Sequence, residues 1–194
     1  SSAVGSCSGN GSSGSAFEPG SGTTIMAYAG ICGAANVQSN SDPYFHARSL
    51  LEFSNFVTGV STGAHTCDNE ISVGNSAPTV PAFSDVTFPH STPFVLTGSA
   101  TDGQALTYCW EQYNNALVSP PAGANTSGPL FRSLSPVSVN YRYFPSFDNV
   151  FGGTTDAWEV LPTVARTLTF RFTARDNLTT GGCSNEQSIA VTIG

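Results

Sequence analysis

The sequence contains no lysine. Its six basic residues are all arginine (48, 132, 142, 166, 171 and 175) against 13 acidic ones, giving a formal charge of −7 and a pI near 4.6. A binder of nucleic-acid phosphates needs a basic stripe, which this composition excludes. Charge of either sign is scarce, at 10% of residues, less than half of the roughly 25% in an average globular chain. No apolar run approaches the ~18–20 residues of a spanning helix, so no membrane span is expected. Cys-x-x-Cys and Cys/His clusters are absent too. The five cysteines (7, 32, 67, 109 and 183) lie far apart, which points to one or two disulfides rather than a metal site. Their odd number leaves at least one thiol free or joined to a partner outside the chain. No leader segment precedes the first serine, which suggests a processed product or a fragment.

What is present is apolar enough to fold. The hydrophobic fraction is 39%, with 21 aromatic residues, and the polarity comes from 26 serines, 21 threonines and 20 glycines rather than from charge. That balance excludes a disordered chain and reads as strands and turns of an extracellular protein. Residues 1–24 are Ser/Gly-rich and read as a loop pinned by Cys7. Asp42-Pro43 opens the one convincing helix, with Asp42 as N-cap and Pro43 at the first helical position. Ala47, Leu50, Leu51, Ser54 and Val57 follow at helical spacing, and Gly59 ends it.

The texture changes near residue 76. Beyond it, Phe94–Thr97, the alternation Leu106/Tyr108/Trp110, the alternation Leu168/Phe170/Phe172/Ala174 and the last run Ile189/Val191/Ile193 read as antiparallel sandwich strands, apolar in and polar out. Between the third strand and the penultimate one lies an insert, about 117–163, rich in proline and aromatic residues. The expected fold is mainly β. A small α+β part with one helix (1–75) precedes an immunoglobulin-like or fibronectin type III-like β-sandwich (77–194).

Two segments carry a family resemblance. Gly20-Ser-Gly-Thr-Thr-Ile-Met-Ala-Tyr-Ala-Gly-Ile-Cys-Gly33, followed by Ser41-Asp-Pro-Tyr-Phe-His-Ala-Arg-Ser49, resembles the Met-turn region of secreted bacterial reprolysin-like zinc metalloproteases of the metzincin clan. Ser99-Ala-Thr-Asp-Gly-Gln-Ala-Leu-Thr-Tyr-Cys-Trp-Glu-Gln112 resembles the immunoglobulin-like domain that follows the protease domain in those proteins, and Gly128–Leu134, Arg142–Pro145 and Trp158–Pro162 extend the likeness. The resemblance implies that Met26 lies in the tight turn beneath a catalytic zinc. It implies that Tyr28, two residues on, assists at the transition state of the intact enzyme. The clan's His-Glu-x-x-His-x-x-Gly-x-x-His motif is absent, and His46, His65 and His90 are isolated, none followed by glutamate. A catalytic zinc needs three protein ligands and a base. This chain is therefore expected to hold no zinc and to be inactive alone, as the non-catalytic C-terminal portion of a metalloprotease whose zinc helix lies in a preceding part. Its partners would be that part and, in the intact enzyme, a protein or peptide substrate.

The five cysteines allow fifteen ways of making two bridges, of which one is favoured. Cys7 with Cys32 would flank the Met-turn loop, and Cys109 with Cys183 would join the third strand to the approach of the last. Cys67 is then free or intermolecular. Other residues have competing readings. His46, in the first turn of the helix, is given a structural role rather than metal ligation. Asp102, Asp148 and Asp176 are calcium candidates on sandwich loops, against a reading as solvated turn residues. Gly59-Val-Ser61-Thr-Gly63 has the spacing of a hydrolase nucleophile elbow but not its strand–turn–helix setting. Asn10, Asn125 and Asn177 begin glycosylation sequons. In the insert, Arg132, Arg142, Tyr143, Phe144 and Trp158 are either cover for the sandwich or a binding surface. The alternative function, from another class, is an extracellular structural or adhesive subunit that binds copies of itself through the exposed α+β part and the aromatic insert.

Overall fold

The computed structural model describes residues 7–61, 63 and 72–194. His65 and Cys67, and the expectations placed on them, lie outside the described residues. Among the described residues there are six strands: β1 (Val86–Phe88), β2 (Phe94–Thr97), β3 (Thr107–Gln112), β4 (Tyr141–Phe144), β5 (Arg166–Arg175) and β6 (Ser184–Ile193). They form a four-stranded sheet in the order β1-β6-β5-β3 and a two-stranded sheet of β2 and β4. All pairings are antiparallel except β1 with β6. The strands β3, β5 and β6 occupy one sheet and β2 and β4 the other, the division found in immunoglobulin-like sandwiches.

Alternation explains why the sheets close on each other. Along β5, Leu168, Phe170, Phe172 and Ala174 are fully buried. The register sets Trp110 beside Phe172 and Gln112 beside Phe170, and it sets Phe170 beside Ile189 and Leu168 beside Val191. From the opposite sheet Phe94, Leu96 and Phe144 meet this face, with Phe131 from the connection between β3 and β4. Gln112 enters this layer as a polar residue, but its Oε1 accepts the Leu130 and Phe131 N–H groups at 2.7 and 3.1 Å. A buried amide so satisfied fixes where the connection crosses the sheet.

Two sequence expectations are corrected here. The stretch 117–163 is not an insert between the third and penultimate strands. It contains β4, which completes the second sheet, and a short helix α2 (Phe147–Phe151). The long helix α1 spans Ala47–Ser61, so it starts five residues after Asp42 and runs past Gly59. Asp42 is not its cap. The Asp42 N–H donates to the Thr23 carbonyl at 2.7 Å, and the Tyr44 N–H to the Asp42 carbonyl at 2.8 Å, which holds 42–46 in an irregular ribbon. Along α1, Ala47 is buried, Leu50 and Leu51 are half-buried, and Ser54 and Val57 are exposed.

The disulfide Cys7–Cys32 is present, with a Cα–Cα distance of 5.1 Å. Cys109 and Cys183 are both free, against expectation, and the sheet explains why. Cys109 lies on β3, opposite Thr173 and Glu186, while Cys183 precedes Ser184 at the start of β6. With β5 between them the two backbones stand about 9–10 Å apart across the sheet, beyond the ~7 Å reach of a disulfide. Cys109 faces outward from the sandwich, as its neighbour Trp110 faces in, but it is buried beneath other chain segments and its thiol lies 3.2 Å from the Leu134 carbonyl. Burial, with Glu111 beside it, pushes that thiol far above the usual range. A buried thiol that resists ionisation is a poor nucleophile. Iodoacetamide at neutral pH is therefore expected to label the half-buried Cys183 promptly and Cys109 only after unfolding, as read by peptide mass mapping.

Candidate functional site: the Met26 turn and its cradle

Thr24 to Ala27 form a tight turn, the Ala27 N–H donating to the Thr24 carbonyl at 3.0 Å, with Ile25 and Met26 at its centre. Met26 points outward and is 63% exposed, with Ile25 and Ile31 also exposed beside it. Apolar side chains face solvent here while polar ones are buried beneath them. Glu18 lies under the turn, almost buried. Its Oε1 accepts the Thr23 and Thr24 N–H groups at 2.8 and 3.2 Å, and its Oε2 the Thr24 hydroxyl at 2.6 Å. A carboxylate taking several donors from one turn fixes its shape more strongly than neutral bonds would.

The flanks of the turn are equally constrained. Gly20 has φ +57°, and a Cβ there would stand 2.5 Å from the Trp158 ring, so only glycine fits beneath that indole. The Tyr28 N–H donates to the Ser21 carbonyl at 2.9 Å, and the Tyr28 hydroxyl to the Asn10 carbonyl at 3.0 Å. Tyr28 and Trp158 pack on the Cys7–Cys32 disulfide, which ties the segment before the turn to the chain after it.

The sandwich grips this region at several points. The Gly20 N–H donates to the Val118 carbonyl at 2.8 Å, and the Ala116 N–H to the Ala16 carbonyl at 3.1 Å. The Thr23 hydroxyl donates to the Ser133 carbonyl at 3.1 Å, and Arg132 donates to the Gln38 side chain. On the other flank Arg175 Nη2 donates to the Phe45 carbonyl at 3.1 Å. A cleft of about 170 Å³ opens between the turn and the start of α1, lined by Phe17, Glu18, Met26, His46 and Arg48.

His46 is buried at the start of α1. Its Nδ1 accepts the Arg48 N–H at 3.0 Å, so it acts as the helix cap through its ring, the role the sequence suggested for Asp42. Its Nε2 faces Glu111 Oε1 at 3.8 Å. Tyr44, beside it, is buried; burial, with Glu111 next in weight, drives its phenol far above the usual range. Tyr44 is thus held as a neutral hydroxyl.

These residues do not fit a zinc ion. The Tyr28 hydroxyl is given to a backbone carbonyl, the carboxylate under the turn accepts three donors from it, and the His46 imidazole is committed to the helix cap. Among the described residues no three His, Cys, Asp or Glu side chains come together as a metal site. The calcium candidates are likewise apart. Asp102 caps its own turn, accepting the Gln104 N–H at 2.8 Å, and Asp148 lies in the first turn of α2.

Asp176 serves the β5–β6 connection instead. Burial alone would raise its carboxyl, but the Leu178 N–H, the Asn75 amide and the Cys183 N–H donate to it and hold it below the usual carboxylate range. The unfolded chain therefore binds the proton more readily, and this contribution to stability is complete above the ordinary Asp value near 3.8 and is lost as pH falls through the depressed one. The urea midpoint of the protein is expected to drop as pH is lowered from about 4 towards 2, and Asp176→Asn to flatten that slope.

The binding surface expected on the stretch 117–163 is corrected for two of its residues. Phe144 is fully buried in the core and the Arg142 side chain is nearly so. Trp158 is half-buried against Gly20, and Arg132 is engaged with Gln38 and with Asp156 at 3.5 Å. These residues cover the sandwich. The exposed aromatic residues of this stretch are others: Tyr141, Phe147 and Phe151.

Sequence reasoning missed Glu18 and Glu111. Each is a lone carboxylate in an apolar or hydroxyl-rich neighbourhood, Glu18 after Phe17 and Glu111 after Trp110, in a chain with little charge. That scarcity was the available signal.

No family model matches the chain, and no curated protein matches it. Among solved structures, the crystal structure of Drosophila N-cadherin EC1-4 is similar at a TM-score of 0.33 and 14% identity, over 62% of this chain and 25% of that one. So distant a likeness leaves the fold to be read from the strand order itself.

Proposed function

We propose that this chain is the non-catalytic C-terminal portion of a secreted zinc metalloprotease, in which the Met26 turn floors a zinc site whose ligands come from a preceding part of the polypeptide. The observation that carries this reading is an outward, solvent-exposed methionine on a turn that is otherwise fastened from beneath by Glu18 and from both sides by the sandwich. A lone methionine filling a core gap would be buried. One held outward on a rigid turn has a surface to meet. In this reading the substrate is a protein or peptide, Tyr28 is released from Asn10 to assist at the transition state, and the chain works in an oxidising, extracellular compartment, a setting that the Cys7–Cys32 bond supports. The test is the mass and zinc content of the native polypeptide together with casein cleavage. A longer chain with one zinc that cleaves casein supports the reading. A 20.1 kDa species without zinc or activity counts against it.

A second reading is favoured by a different observation. Tyr141, Tyr143, Phe147 and Phe151 form a row with ring centroids 5.8, 5.4 and 4.7 Å apart. Apolar hollows of about 180 and 330 Å³ lie on either side of Tyr143. A self-assembling structural subunit would bury this row against a second copy. Sedimentation distinguishes the two: a concentration-dependent oligomer that Phe151→Ser dissolves supports assembly, and a monomer at all concentrations rejects it.

A further inference from the structure

We propose that Glu111, a residue of the sandwich, is the positioning residue of the Met26 turn and acts on it through the start of helix α1. Glu111 is the outward-facing neighbour of Trp110 on β3, yet it has no solvent exposure. Its Oε2 accepts the N–H of Ala47, the first residue of α1, at 2.8 Å. His46 Nδ1 takes the next N–H, that of Arg48, at 3.0 Å. The first N–H groups of a helix have no partner within it and carry its positive end. A carboxylate from another element at that point is a strong, directional tie, and removing it leaves a buried donor unsatisfied.

The tie reaches the turn by a short covalent and hydrogen-bonded path. The ribbon that leads into α1 runs alongside the turn: the Thr23 carbonyl accepts the Asp42 N–H at 2.7 Å, and the Tyr44 carbonyl accepts the Ile25 N–H at 3.1 Å. Ile25 is the residue before Met26. The near flank of the turn is held by Val118 and Ser133, but the far flank, residues 42–47, is held by Glu111 and by the Arg175 bond to the Phe45 carbonyl. Of these two, Glu111 alone binds a helix N-terminus, where charge counts most. The sandwich is then a template for the turn and not an appendage. The physical linkage stands on these bonds alone; its consequence for catalysis rests on the metalloprotease reading above.

Amide hydrogen exchange on the intact chain tests it, with Glu111→Gln, which keeps the acceptor and loses the charge, and Glu111→Leu, which loses both. The Ala47, Asp42 and Ile25 amides are expected to speed up together, by roughly tenfold in E111Q and about a hundredfold in E111L. The Met26 methyl resonance should move with them, while Leu168 and Phe170 in β5 keep their rates. A change confined to Ala47, with Ile25 and Met26 as in the parent, overturns the proposal. So does uniform acceleration that includes β5, because that is a plain loss of stability. The parent chain gives an independent check that needs no variant: in low urea, Ile25, Asp42 and Ala47 should exchange with one common free energy and urea dependence, and unequal values overturn the linkage. In a zinc-bearing native polypeptide, E111Q should lower kcat with KM unchanged. Absence of zinc there would sink the metalloprotease reading and leave the exchange result standing.

Discussion

Replacing Glu159 with leucine is expected to destabilise the protein by roughly 3–5 kcal/mol, because it strands a buried guanidinium. Arg142 Nη2 donates to Glu159 Oε1 at 2.5 Å and to the Arg132 carbonyl at 2.6 Å, while Nη1 donates to the Trp110 carbonyl at 2.7 Å. Glu159 Oε2 in turn accepts the Ser146 N–H at 2.6 Å. The pair therefore joins β3, β4, the start of α2 and the segment before β5 in the space between the open edges of the two sheets. Its net contribution to stability need not be large, since two charges were desolvated to make it. What is large is the effect of breaking it from one side. Equilibrium urea unfolding of Glu159→Leu, Arg142→Met and the double variant checks this. The double variant is expected to be more stable than the sum of the single losses implies, by a coupling of about 1–3 kcal/mol. Additive losses would show that the pair is not an energetic unit.

Phe170→Ala should be comparably severe, at about 3–5 kcal/mol. Its ring lies 4.5 Å from that of Phe144, 5.9 Å from Phe94 and 6.1 Å from Phe131. It therefore touches both sheets and the connection that crosses between them. Three surrounding rings, each wedged by others, cannot collapse into the space left behind, so the cavity persists with its full cost. Phe151→Ala supplies the contrast. That ring is 67% exposed, and its loss should change stability by no more than about 0.5 kcal/mol. Thermal and urea denaturation of the two variants, measured side by side, resolve the difference easily.

The sandwich was legible in the sequence because its signal is local. Leu168/Phe170/Phe172/Ala174 and Ile189/Val191/Ile193 alternate at the period of a strand, and each apolar residue points where that period puts it. The strand β4 was not legible for the same reason inverted. Tyr141, Arg142, Tyr143 and Phe144 show no clean alternation, because Arg142 faces inward to Glu159 while Tyr141 and Tyr143 face out. A buried ion pair erases the hydrophobic pattern that reveals a strand.

The start of α1 failed differently. Asp42-Pro43 carries the residues of a helix N-terminus, but the Asp42 N–H is drawn to Thr23, and the cap is assembled five residues later from a histidine ring and a glutamate 64 positions away. Propensity at one point cannot foresee a partner so distant. The Met26 turn lay between these cases: Thr-Thr-Ile-Met-Ala-Tyr marked the place, but the bonds of Glu18, Ser133 and Val118 that fasten it are tertiary. The disulfides divide in the same way. Cys7 and Cys32 close a loop around the turn, and Cys109 and Cys183 were separated by a strand whose position only the sheet order supplies.

The most direct test of the metalloprotease reading is the position of zinc relative to Met26 in crystals of the native polypeptide, located by anomalous scattering at the zinc absorption edge. The expected result is one peak on the solvent side of the Thr24–Ala27 turn, against the Met26 side chain. A native protein with no zinc peak, or with zinc bound away from that turn, would contradict it.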